Sequence, residues 1–361
     1  MQRLVELRYL RDGPHWALDA EWRDGAQVVR RLGRQYLEQP GLGTLGEALA
    51  GFAAAYEEAL VAGDQAGGDP GHAPAVTDAL RQRVRPAAER LGAILLPAAL
   101  QEWLALTPAP RLEIICDGDL QGVPFEAVWW QGDFLGFRFA ISRRLVVRHQ
   151  GHRPRLRVDT PPRCAVVADP GDLLNQGGRY RSGTVVQETL AGLRDGWQDG
   201  SRRQLQLPPA SCRLGEATPP AQVQALLATH DVFVLLAHHE ADQRDPGSGQ
   251  VTGTGRGVQL GPDAFYSGTD LQAALPPGGR LPWLLCWPCC QSGTGDAWRG
   301  SWREPEAAAG PPGLAAAALR LGVPQFIGTT FEVHAEFVAG LVGPLLAALD
   351  DGQGSAEALR Q

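Results

Sequence analysis

At 361 residues the chain is too long for one small domain and fits two domains or one large α/β domain. Apolar residues make up 44% of it, enough for a packed core, and a net charge of −7 argues against a nucleic-acid-binding surface. No run approaches the roughly 18 apolar residues of a membrane span, and the opening stretch MQRLVELRYLRDG lacks the apolar core of a secretion signal. The expected setting is the cytoplasm, with the six cysteines reduced.

In chain order, QRLVELRYL at 2–10 and HWALDAEW at 15–22 read as short strands around an Arg-Asp-Gly-Pro turn. Residues 44–62 read as a helix, with Thr44 as its cap and Glu47 as capping-box partner. A polar linker at 63–74 leads to a long helical stretch over 75–106, bent near Pro86 and Pro97. From residue 111 the pattern changes. Apolar strands are expected at 111–116, 164–169, 230–237, 281–287 and 324–330, alternating with helices at 184–196, 219–229, 268–275 and 312–321. Near-continuous apolar strands between helices imply a mostly parallel sheet covered on both faces. The stretch 243–262 is loop chemistry, and its GTGRG at 253–257 lacks the pattern of a phosphate-binding loop. The resulting domain expectation is an N-terminal αβ region over 1–106 and an α/β domain over 107–361.

In open parallel sheets chemistry sits at the carboxyl ends of strands. One expected strand, DVFVLLA, runs into His238 and His239, and another, PWLLCW, runs into Pro288, Cys289 and Cys290. The intervening loop and helix suit a right-handed crossover, which brings both strand ends to one sheet edge. A His facing a Cys there is a dyad: the imidazole takes the thiol proton and the thiolate attacks an acyl carbon. Other readings compete. Cys286-Trp287-Pro288-Cys289 is a literal C-x-x-C, but a Gly-rich loop follows it and not a helix start. His238-His239-Glu240 matches half of a zinc deaminase signature, while Ser292 stands where the second Cys is needed. Cys116, Cys164, Cys212 and Cys286 read as core residues. Strand alternation turns Cys289 away from the face of Cys290.

Five stretches also occur in a telling order: LEIICDGDLQGVPFEAV, DVFVLLAHH, PWLLCWPCCQSG, GLAAAALRLGVPQFIGTTFEV and DGQGSAEALRQ. From about residue 95 onward they resemble the CHAT family of caspase-like, separase-related cysteine peptidases. The resemblance implies a caspase-like sheet, with the N-terminal αβ region as part of one CHAT unit. It implies Cys290 as nucleophile, since Gln291-Ser292-Gly293 continue the motif, and His238 as base. The difference 290 − 238 = 52 is close to the about 50-residue His–Cys spacing of caspases. The resemblance also implies an oxyanion hole from the N–H groups of His239 and Cys290, although the family has Gly at the position of His239. That departure keeps an inactive caspase-like scaffold as an alternative. FEVHAE at 331–336 departs as well, and is expected to shape a cleft wall.

No cofactor or metal is expected, and the substrate is expected to be a protein. Asp117, with Asp119 or Asp296 as substitutes, is the candidate for an acidic S1 pocket that favours a basic residue. The loops 243–262 and 294–311 are expected to border the cleft. The chain stops inside a helical pattern, SAEALRQ, so the resemblance implies a piece of a longer protein regulated by a sensor domain or partner. It further implies an effector in a bacterial defence or cell-death system.

Overall fold

The computed structural model describes residues 3–12, 15–37, 41–65, 73–116, 120, 123–145, 161–173, 182–198, 204–240, 243–244, 251–253, 257–274, 281–289, 314–329, 333 and 335–360. The chain divides into two compact units, Met1–Val146 with Arg360–Gln361, and Val147–Leu359. This boundary lies well beyond residue 106.

The first unit opens with β1 (Arg3–Asp12), β2 (His15–Asp24) and β3 (Gln27–Tyr36). Three helices follow: α1 (Gly41–Gln65), α2 (Ala73–Leu95) and α3 (Ala98–Ala105). Then come β4 (Arg111–Cys116), the short pair β5 (Trp129–Trp130) and β6 (Asp133–Phe134), α4 (Leu135–Arg138) and β7 (Ala140–Leu145). The sheet order is β3-β2-β1-β4-β7: β1 to β3 form an antiparallel meander, and β4 lies parallel to both β1 and β7. One face is apolar and buried, with Val5, Leu7, Tyr9, Leu18, Leu112 and Ile114 each at most 1% exposed. The other face carries charge. Glu21, Glu6 and Glu113 stand directly opposite one another on three neighbouring strands. Like charges so placed repel, and arginines hold them. Arg8 bonds Glu6, Arg23 donates to Glu21 at 2.5 Å, Arg31 lies 2.8 Å from Glu21, and Arg144 bonds Glu113. Burial alone would push the Glu21 carboxyl up, but the Arg23 hydrogen bond and the charges of Arg23, Arg31 and Arg8 bring it below its usual value.

Three expectations change here. The helix expected at 44–62 begins at Gly41, so Thr44 sits inside it and does not cap it. The stretch 75–106 is two helices, with Pro86 inside α2 and Pro97 as the N-cap of α3. The strand at 111–116 belongs to this first sheet, because its backbone partners are β1 and β7.

The second unit holds β8 (Cys164–Ala168), α5 (Ser182–Gln198), β9 (Cys212–Leu214), α6 (Pro220–Thr229), β10 (Val232–Leu236), the short strands β11 (His239–Glu240), β12 (Gln243–Arg244), β13 (Val251–Gly253), β14 (Gly257–Gly261) and β15 (Ala264–Tyr266), α7 (Gly268–Ala274), β16 (Leu284–Cys286), α8 (Leu314–Leu321), β17 (Gln325–Ile327), α9 (Ala335–Asp350) and α10 (Ser355–Arg360). Its main sheet has the order β17-β16-β10-β8-β9, and every pair in it is parallel. Counted from β8, that is the doubly wound order 2-1-3-4-5.

Strand alternation sorts the side chains into two cores. Val232, Val234, Leu236, Leu284 and Cys286 pack with α5 and α9 residues such as Val186, Leu190, Val338 and Val342. Phe233, Leu235, Ala237, Leu285, Trp287 and Cys289 pack with α6, α7 and α8 through Val223, Leu227, Leu271 and Ala317. The four helices expected from periodicity are present as α5, α6, α7 and α8. The expected loop at 243–262 contains strands where it is described: β12 pairs with β13, and β14 pairs with β11 and β15. Gly257 is required there. Its φ is +95°, and a Cβ would come within 2.4 Å of the Tyr266 carbonyl oxygen.

Candidate active site

The order in which the chain adds strands reverses between β8 and β10, and the carboxyl edge at such a switch is where open α/β sheets bind ligands. β10, the apolar run VFVLL, is buried along its whole length. It ends at Leu236, and two residues later His238 emerges with an exposed side chain. The His238 backbone is held, because its carbonyl accepts the Gln259 N–H at 2.8 Å. The next residue, half-buried His239, begins β11 opposite Val258. Since the ladder bond goes to His238, His239 stands at a wide position and its N–H is directed away from β14.

Across the switch, β8 ends at Ala168, and Asp169 follows with φ +48° and 1% exposure. Its N–H donates to the Leu236 carbonyl at 2.8 Å, tying the ends of β8 and β10 together. Its carboxylate accepts from Gln187 Nε2 at 3.0 Å. Asp169 is a buried acid at this edge, and the sequence did not reveal it, because Asp-Pro-Gly reads only as a strand terminator.

On the other side of β10, β16 runs in a register that pairs Val232 with Leu284, Phe233 with Leu285 and Val234 with Cys286. Trp287 then donates its N–H to the Ile327 carbonyl at 2.8 Å. Its fully buried indole meets Phe233, Tyr266 and Phe326 at centroid distances of 5.7, 6.0 and 6.3 Å. The Cys289 N–H donates to the Trp287 carbonyl at 2.7 Å and closes a three-residue turn around Pro288. Cys289 is 2% exposed, and its Sγ–H donates to the Leu235 carbonyl at 3.2 Å. Its own carbonyl accepts the Thr329 hydroxyl at 2.7 Å. Thr329 too was missed: at the end of an apolar strand it reads as an ordinary β-former.

The described thiols are core groups. Burial pushes Cys286 up to about 12 and Cys212 up to about 11, the latter despite Arg194 nearby. Burial raises Cys164 strongly, and neighbouring Cys286 and Cys212 add to it. Thiols so shifted are neither nucleophiles nor ready metal ligands. Among the described residues no group of three or more His, Cys, Asp or Glu could hold a metal ion. His230 lies at the amino end of β10. It is buried and bonded to Ser211 through Nε2 at 2.8 Å.

Cys290, Asp117, Asp119 and Asp296 lie outside the described residues, as does the loop 294–311. The premise for Asp117 changes all the same. β4, the strand that leads to it, belongs to the first sheet and not to the sheet that carries His238.

The family model of the CHAT domain matches residues 85–361 of this chain. This chain belongs to the CHAT family. The CHAT match begins inside α2 and takes in β4, β7 and the whole second unit. Among solved structures the CHAT chain is similar to Saccharomyces cerevisiae separase in its complex with securin, with a TM-score of 0.54 at 9% identity. The likeness covers 99% of this chain and 28% of that one. At such identity the likeness is one of fold, and it agrees with the caspase-like α/β architecture implied by the motif order. No curated protein matches the sequence. No described helix is long and apolar enough to cross a membrane.

Proposed function

We propose that this CHAT protein is a cysteine endopeptidase with Cys290 as nucleophile and His238 as base and then acid. The observation that carries the reading is the register of β10 on β16. Each pair in it is offset by 52 residues (286 − 234), the same offset that separates His238 from Cys290. The pairing ends at the turn around Pro288, but Cys289 is still fastened to Leu235, three residues before His238. One peptide bond beyond that fastening is Cys290. Because Cys289 is buried and bonded, its neighbour is the better candidate for attack.

In the proposed reaction His238 takes the Cys290 thiol proton and the thiolate adds to the substrate carbonyl carbon. The carbonyl electrons move to oxygen, which the N–H groups of His239 and Cys290 receive. The C–N bond then breaks, His238 gives its proton to the leaving amine, and water hydrolyses the thioester by the same route. No step calls for a metal or cofactor. A regulatory sensor domain or partner protein, and a place in a defence or cell-death system, go with this reading through the family resemblance.

The test is a peptide-library cleavage assay with the wild type and Cys290→Ala, together with labelling by electrophilic peptide ketones. Cleavage lost in the variant, and a single label at Cys290, are expected. A label at Cys289, or activity that survives in Cys290→Ala, overturns the assignment. A wild type that cleaves nothing and takes no label supports an inactive scaffold, the reading that His239 in place of Gly favours. The same library reads the S1 proposal: cleavage after Arg is expected if Asp117, Asp119 or Asp296 lines the pocket, and cleavage after Leu or Asp without basic preference excludes it.

A further inference from the structure

Resting on that reading, we infer that Thr329 is a positioning residue for the oxyanion hole, through its hydrogen bond to the carbonyl of Cys289. The hydroxyl of Thr329, just beyond β17, donates to that carbonyl at 2.7 Å. The Cys289 carbonyl and the Cys290 N–H are the two ends of one planar peptide unit. In a trans peptide they point in opposite directions, so fixing the carbonyl fixes the N–H. Thr329 therefore aims the donor that receives the developing oxyanion, without touching substrate.

Three further contacts hold Cys289 and the turn that leads to it. The Cys289 N–H is held by the Trp287 carbonyl at 2.7 Å, and the Cys289 thiol by the Leu235 carbonyl at 3.2 Å. Trp287 in turn is pinned to Ile327 of β17 at 2.8 Å. The residue before the nucleophile is thus bonded through its nitrogen, its oxygen and its sulfur, to β16, to the end of β17 and to β10. Of these bonds only the one from Thr329 acts on the carbonyl that shares a plane with the Cys290 N–H. It comes from a side chain, so it can be removed without changing the backbone. Preorganised donors matter because they need not reorient when charge develops, and a small misalignment is enough to lose much of the rate.

The test uses the full 361-residue chain and two probes that react with the same thiol. A panel of peptide aldehydes varied at P1 adds the Cys290 thiolate to a carbonyl carbon: a C–S bond forms, the carbonyl electrons move to oxygen, and the hole must receive that charge. Iodoacetamide alkylates the same thiolate with loss of iodide and forms no oxyanion. Thr329→Val keeps the shape and removes the hydroxyl, while Thr329→Ser restores a hydroxyl. Thr329→Val is expected to lower kcat and aldehyde affinity together by about 10- to 100-fold, to leave KM and the alkylation rate within about 2-fold, and to be rescued by Thr329→Ser. Equal loss with both probes means general loosening of the site and overturns the positioning role. No loss with either probe overturns it too, and leaves the peptidase reading standing. A wild type that takes neither probe at Cys290 sinks the peptidase reading, and this inference with it.

Discussion

The two five-stranded sheets solve the same problem in different ways. In the second unit every strand of the sheet is parallel, and both faces are packed, so Val232–Leu236 is buried without interruption. In the first unit one face is packed and the other carries charge, and the three aligned glutamates rely on arginines. A sheet covered on both faces leaves only its edges for chemistry, and there His238 emerges. A sheet with a charged face has room for ion pairs across its middle, and those stabilise it only weakly.

That contrast can be broken at its strongest point first. On the proposed reading, replacing Cys290 by Ala, or His238 by Ala, should lower kcat/KM by several orders of magnitude with the melting temperature unchanged, because a Cys–His dyad acts as a unit. Charge changes such as Arg31→Ala on the first sheet should leave kcat/KM alone. Were Arg31→Ala to cost as much as the dyad variants, the separation of roles between the sheets would be wrong.

The second sheet should also be the one intolerant of lost volume. Phe233 is fully buried against Trp287, and Phe233→Ala should cost about 3–5 kcal/mol in a denaturant melt. A cost below about 1 kcal/mol would mean that this core repacks freely.

A smaller effect is expected from polarity alone. Cys286→Ser puts a hydroxyl into a core site that is 1% exposed, and should destabilise by about 1–3 kcal/mol. Activity per folded molecule should be retained, as measured by active-site titration.

The smallest effect belongs to the charged face. The Glu21 carboxyl lies below its ordinary value in the folded chain, so its ionised form contributes stability above the unfolded value. That contribution fades as pH falls through the folded value. Glu21→Gln should cost less than about 1 kcal/mol near neutrality, because Arg31 is exposed and Arg8 and Arg23 are only half-buried, and the difference from wild type should vanish in acid. Melts of both chains across pH 3 to 7 provide the check, and a gap that widens toward acid would reverse the sign assigned here.

How much of this could be read from the sequence depended on the same contrast. Strands buried on both faces announce themselves as unbroken apolar runs, and β8, β10 and β16 lie within a few residues of where the sequence puts them, as does the less buried edge strand β17. The helices between them have a marked period, as in α5, expected at 184–196 and found at Ser182–Gln198. β3, the run QVVRRLGRQY, is largely exposed at a sheet edge and has no apolar alternation to read. RLEIIC was legible as a strand, but which sheet it joins depends on β1, about a hundred residues earlier. His238 was legible because a His that ends an apolar strand is unusual. The bond from Thr329 to Cys289 was not, because it spans 40 residues and involves a backbone oxygen.

The parallel register has a kinetic side. β8 and β10 pair residues 68 positions apart (232 − 164), and β16 and β17 pair residues 41 positions apart (325 − 284). β1 and β2 instead pair from Asp12 with His15, three positions apart. Pairings that distant are slow to form, because the chain between them must be gathered before any contact rewards it. During synthesis CAVVA and VFVLL leave the ribosome well before LLC and QFI exist to flank them. For that interval the most apolar strands are bare, and the protein depends on whatever shields such segments in the cell.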